Sequence, residues 1–220
     1  MSASTKRRGT GGKPKPQRRG GLPVVPIAIA FVVLAAVVAL VLAGGDGEVK
    51  SDARSQYGAV EIDGTALPPL AGATPDADPA VAMAAPTLTG TNFEGDPVTV
   101  PSSERPTLLV FAAHWCPHCQ AEIPRLVDWM AAGGAEDVQV VAVSTAADPQ
   151  APNWTPQAWL EREGWEAPVL ADDAEGSAGS AYGVDGYPFF TLVDESGTVV
   201  WRASGEISTE VLDAVLATLP

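Results

Sequence analysis

No charged residue occurs between Leu22 and Ala43, and that run limits the chain more than any other feature. A helix of about 20 apolar residues spans a bilayer core of roughly 30 Å. Seven of the 13 Lys and Arg side chains precede residue 22, and no Asp or Glu occurs before Asp46. Basic residues before the run and acidic residues after it orient the N-terminus toward the cytoplasm and the bulk of the chain outward. Val41-Leu42-Ala43 could also serve as a signal-peptide cleavage site. Cleavable apolar regions are typically about 7–15 residues, shorter than this one. The expectation is an uncleaved, single-pass anchor in the cell membrane; on either reading the rest of the chain lies outside the cytoplasm.

Beyond the run stand 6 basic against 27 acidic residues, a difference of −21. A surface of that sign repels nucleic acid phosphates, which excludes nucleic-acid binding. It also favours a soluble monomer. Four stretches follow. Residues 1–21 read as a basic cytoplasmic tail, and residues 22–43 as the transmembrane helix. Residues 44–82 are rich in Gly, Ala, Asp and Pro and read as a flexible extracytoplasmic linker. Within it, Val60-Glu61-Ile62 and Leu67 to Leu70 leave open a local fold-back.

Residues 83–220 read as a globular α/β domain. Leu88 to Val100 predicts a hairpin around a Gly-containing turn. Thr107–Ala112 and Val138–Val143 are continuous apolar runs, the mark of strands buried on both faces. Between them a helix carries Ile123, Leu126, Val127 and Met130 on one stripe. Helices over Trp154–Glu163 and Glu175–Tyr182 flank a short strand at Val169-Leu170. A second hairpin turns at Asp194-Glu195-Ser196-Gly197, and Ser208 caps a last helix. The predicted order is ββ-β-α-β-α-β-α-β-β-α.

The chain's two cysteines lie in Trp115-Cys116-Pro117-His118-Cys119, between the first buried strand and its helix. As a structural staple a four-residue loop is worth only about 2 kcal/mol, and a domain of this size needs none. Chemistry fits better. With Pro117 at the first helical position, Cys116 is the N-cap, and its sulfur faces free N–H groups and the positive end of the helix dipole. Those favour a thiolate, and His118 adds charge nearby. Cys116 is then an exposed nucleophile, and Cys119, one turn inward, resolves the mixed disulfide. Redox-linked metal delivery is a rival, because His114, Cys116, His118 and Cys119 crowd six residues. A tetrahedral site needs ligands that converge, and His114 is read as a solvated loop residue.

These residues resemble the thioredoxin fold and, within it, the TlpA/ResA-like membrane-anchored thiol–disulfide oxidoreductases. The hairpin opened by Ala85-Pro86-Thr87-Leu88 is similar to that subgroup's added strands. The Cys-Pro-His-Cys couple matches the active-site motif. Glu122 and Pro124 match a Glu-x-Pro that follows it, and Gly186-Tyr187-Pro188 resembles the cis-proline loop. The resemblance covers about residues 83–220. It implies that Trp115, Tyr187 and Pro188 contact substrate, that Cys116 and Cys119 alternate between disulfide and dithiol, and that no cofactor or metal is needed. One departure is Val110, which stands where thioredoxin has a buried acid; Glu122 is the candidate replacement, against a reading as a helix-surface carboxylate. The expected function is disulfide exchange with protein clients, with a membrane redox partner to reset the couple. Pro117-His118 favours an oxidase, while the body of the domain favours a reductase of the cytochrome c maturation type. The alternatives are metal delivery and a non-catalytic binding domain of the cell envelope. A peroxiredoxin, which also begins with an Ala-Pro-x-Leu hairpin, is the disfavoured alternative, because the approach to Cys116 lacks its Pro and Thr.

Overall fold

The computed structural model describes residues 56–70 and 77–219. The expected cytoplasmic tail and the apolar run 22–43 lie outside them. Among the described residues no helix is long and apolar enough to cross a membrane.

Among the described residues the chain forms two sheets and four helices. The strands are β1 (Glu61–Asp63), β2 (Thr87–Thr91), β3 (Pro97–Val100), β4 (Thr107–Ala112), β5 (Gln139–Ser144), β6 (Val169–Ala171), β7 (Phe189–Val193) and β8 (Val199–Ser204). The helices are α1 (Pro117–Ala131), α2 (Pro156–Arg162), α3 (Ser177–Ala181) and α4 (Thr209–Leu216). From Thr87 onward the order is the predicted one. The larger sheet runs β6-β5-β4-β7-β8. Its β4, β5 and β6 are parallel, and β7 and β8 are antiparallel. The central strands β4 and β7 are buried at every position, which explains their unbroken apolar runs.

Side chains alternate across this sheet and divide the core in two. One half holds Cys119, Ile123, Leu126, Trp129 and Phe190, beneath α1 and α4. The other holds Phe111, Tyr182, Phe189 and Val199 on the opposite face. Helix α1 is rotated from its predicted stripe. Glu122 and Trp129 are buried, while Val127 and Met130 are only half-buried. Trp129 Nε1 donates to Asp213 Oδ1 at 2.8 Å, which gives the indole a partner at the α1–α4 contact.

The linker expectation changes most. Residues 56–70 and 77–82 pack on the domain. Strand β1 pairs with β2 and extends the predicted hairpin to three strands. Leu67 and Leu70 join the second half of the core. Leu67 N–H donates to Ala181 O at 2.8 Å, and Gly183 makes room for this approach, since a Cβ there would lie 2.4 Å from Pro68 O. Asp78 and Arg202 close the strap with a salt bridge in which both side chains are fully buried. Arg202 Nε meets Asp78 Oδ2 at 2.8 Å, and its Nη1 donates to Pro68 O and Tyr182 O at 3.0 and 2.9 Å.

Candidate active site

Strand β4 ends at Ala112, and the chain turns through Ala113, His114 and Trp115 into α1. Cys116 is the N-cap with extended backbone, and Pro117 takes the first helical turn. Proline suits that place, because its missing N–H has no helical partner to lose. Gln120 N–H donates to Cys116 O at 3.1 Å and closes the first turn.

The cysteines are free thiols, so the structure shows the reduced couple. Cys116 makes no capping bond to the helix N–H groups. Its thiol instead donates to Tyr187 O at 3.5 Å. It is also not exposed as expected, with 7 % of its surface accessible against 0 % for Cys119. Burial pushes the Cys119 thiol far up, and the neighbouring Cys116 and Glu122 add to the rise against a lowering bond at Ala113. The two cysteines are therefore both buried but unequal: Cys116 keeps a small accessible surface, and Cys119 is held as a neutral thiol inside.

The loop before β7 supplies the roof. The Tyr187–Pro188 peptide is cis, a point that the sequence left undecided. Pro188 is buried and Tyr187 half-buried. Trp115 and Tyr187 meet edge to face, with centroids 6.1 Å apart at 87°, and Trp115 Nε1 donates to Ala146 O at 2.8 Å. A cleft of about 280 Å³, lined by Ala146, Val184 and Tyr187 among others, opens beside this pair. A larger one of about 590 Å³ lies past the other end of α1, around Gly133 and Leu219, away from the thiols.

His114 is buried at 1 % exposure, not solvated. Its Nε2 accepts from Asp148 N–H at 3.1 Å, and its Nδ1 lies 2.8 Å from Pro152 O. A carbonyl can only accept, so Nδ1 carries the proton and the ring is neutral. Burial lowers its proton affinity further. With both ring nitrogens committed, His114 has no lone pair to offer a metal, and the four-ligand cluster of the rival reading is not assembled. Among the described residues no group of three or more His, Cys, Asp or Glu is placed to hold one.

Glu122 is fully buried, which rules out the helix-surface reading. It sits one turn after Cys119 on the same face of α1. Ile207 N–H donates to its Oε1 at 3.2 Å, and Arg125 Nη2 donates to its Oε2. Burial raises its proton affinity and the nearby Glu206 adds to the rise, while the Ile207 N–H and the Arg125 charge oppose it. The same Arg125 Nη2 donates to Glu206 Oε2 at 2.6 Å, and Glu206 Oε1 lies 2.7 Å from Nδ1 of the exposed His118. Sequence reasoning missed Arg125 and Glu206. The available signal was scarcity, because only six basic residues follow the apolar run and each faces many carboxylates.

The Redoxin family model matches residues 80–216. The chain belongs to the Redoxin family. This Redoxin is 24 % identical over 120 residues to sporulation thiol-disulfide oxidoreductase A of Bacillus subtilis, covering 54 % of this chain and 72 % of that protein. It is 31 % identical over 107 residues to the thiol:disulfide interchange protein DsbE of Escherichia coli K12, covering 49 % of this chain and 54 % of that protein. Among solved structures, a putative DsbE from Chlorobium tepidum superposes with a TM-score of 0.54 at 26 % identity, over 62 % of this chain and 95 % of that one. StoA from Bacillus subtilis superposes with a TM-score of 0.52 at 22 % identity, over 63 % and 99 %, a likeness of fold. The domain thus has the thioredoxin-like fold, and the Redoxin is a thiol–disulfide oxidoreductase.

Proposed function

We propose that this Redoxin exchanges disulfides with protein clients outside the cytoplasm, tethered to the cell membrane by the apolar run 22–43, with Cys116 as nucleophile and Cys119 as resolving thiol. The observation that carries the reading is the inequality of the two thiols at the start of α1. Cys116 keeps a small accessible surface and donates to the Tyr187 carbonyl, and Cys119 is wholly inaccessible. An attacking thiol must be reached by its partner, whereas a resolving thiol must be reached only by the first cysteine. Trp115, Tyr187 and Pro188 form the wall against which a client segment would lie. Glu122, buried next to Cys119, is the group that exchanges a proton with it, in place of the acid that Val110 displaces.

No step in this chemistry calls for a metal or organic cofactor, because the Cys116–Cys119 couple itself carries two electrons between disulfide and dithiol. The −21 balance beyond the anchor suits a monomer that visits clients in turn. A membrane protein that resets the couple is the partner this placement suggests. The test is capture: Cys119→Ser should accumulate a mixed disulfide through Cys116, and Cys116→Ser should accumulate none. Capture through Cys119 in the Cys116→Ser chain, at equal yield, would overturn the assignment. Direction is read from the potential of the couple. Values of about −120 to −180 mV mark a disulfide donor, and about −270 mV or lower marks a reductant.

A further inference from the structure

One arginine nitrogen serves two carboxylates beside the resolving thiol. Arg125 Nη2 donates to buried Glu122 and to exposed Glu206, at 2.6 Å for the latter. The loop after β8 supplies both controls on Glu122, since Glu206 competes for Arg125 and Ile207 N–H donates to Glu122 Oε1. His118 holds the other oxygen of Glu206 from the start of α1. The charged and titratable groups that bear on Glu122 are thus Cys119 and Arg125 from α1 and Glu206 from the loop, with His118 acting through Glu206.

We propose that Arg125 and Glu206 are positioning residues that act in opposite senses on the proton exchange between Glu122 and Cys119. This rests on the reading of Glu122 as the proton acceptor. In the resolving step the Cys119 thiol gives its proton to the Glu122 carboxylate, directly or through one water. The Cys119 sulfur then attacks the Cys116 sulfur of the mixed disulfide and forms the Cys116–Cys119 bond. The bond from Cys116 to the client breaks, and the client sulfur leaves with the electron pair and takes a proton from solvent. The client gains two electrons and the couple loses two. Arg125 favours the charged form of Glu122 by direct donation. Glu206 opposes it twice, by drawing the guanidinium outward and by placing a second negative charge nearby. The directions of the Glu122 shift agree, with Arg125 lowering its proton affinity and Glu206 raising it.

Two substitutions on one contact should therefore move one pH profile in opposite directions. The full chain, reduced and then mixed with saturating oxidised glutathione so that resolution by Cys119 limits, gives the rate against pH. Glu206→Gln should move the acid limb to lower pH and speed resolution several-fold on that limb. Arg125→Gln should move it to higher pH and slow resolution several-fold, and Arg125→Lys should restore most of the wild-type position. Shifts in the same direction, or none, while Glu122→Gln still abolishes the limb, would overturn the positioning role and leave Glu122 as the acceptor. A limb that survives in Glu122→Gln would instead remove the acceptor reading, and the positioning role with it.

Discussion

The two faces of the large sheet handle a buried charge in opposite ways. On one face Arg202 and Asp78 are both inaccessible, and the guanidinium meets both oxygens of one carboxylate and two backbone carbonyls. Its ring-side neighbour is Phe189, with Arg202 Cζ 5.7 Å from the ring centroid. On the other face Arg125 is 45 % exposed and divides one nitrogen between a buried carboxylate and an exposed one. A closed pair has one arrangement and fixes a segment. A shared, half-open pair can shift its weight between partners at small cost. The first belongs to the strap that precedes the domain, the second to the thiols, and that division is what a fold with a reactive site requires.

The pH responses of the two carboxylates should run in opposite directions. Burial alone would raise Asp78, but the Arg202 hydrogen bonds, the Ala80 N–H and the Arg202 charge outweigh it and hold it below the usual carboxylate range. A lowered folded value contributes stability above the unfolded value, lost as pH falls through the folded one. Asp78→Ala leaves the Arg202 charge buried without its partner and should cost about 3–5 kcal/mol near neutral pH, read from the denaturant midpoint. That cost should shrink as pH falls below the ordinary carboxylate value and on through the lower folded one, where the wild type protonates Asp78. A loss under about 1 kcal/mol would break the contrast between the two faces.

Glu122 carries the opposite sign. Its folded value is raised, so its contribution to stability is present below the ordinary carboxylate value and lost as pH rises through the folded one. Glu122→Gln should therefore be more stable than the wild type at neutral pH, by on the order of 1 kcal/mol. The gain should vanish toward pH 4, and a gain independent of pH would refute burial of the charged carboxylate as its cause. The smallest effect belongs to the outer pair. Glu206 and His118 are open to solvent, where ion pairs add little to stability. His118→Asn should leave the denaturant midpoint unmoved, which would sharpen the distinction between charges that hold the fold and charges that serve the site.

The order of elements from Thr87 to Leu216 could be read from the chain because apolar runs and helical stripes record burial directly. The thiols could be read because Cys-Pro-His-Cys falls where a buried strand meets a helix. The strap could not. Residues 56–70 and 77–82 bury few large side chains, and their anchor is a polar pair joining Asp78 to Arg202 across 124 positions, a contact without periodicity. His114 misled for a related reason. A histidine beside two cysteines reads as a ligand or a solvated side chain, and only the fold reveals Asp148 N–H and Pro152 O on its two nitrogens. Glu122 offered two readings until α1 was seen to turn it inward.

The division of labour between Cys116 and Cys119 is the centre of the proposed mechanism, and alkylation tests it most directly. The reduced full chain would be exposed briefly to iodoacetamide at neutral pH, and the two cysteines scored by peptide mass spectrometry. Label on Cys116 with Cys119 protected at least several-fold is the predicted result. Equal labelling, or label first on Cys119, would contradict the assignment of nucleophile and resolving thiol.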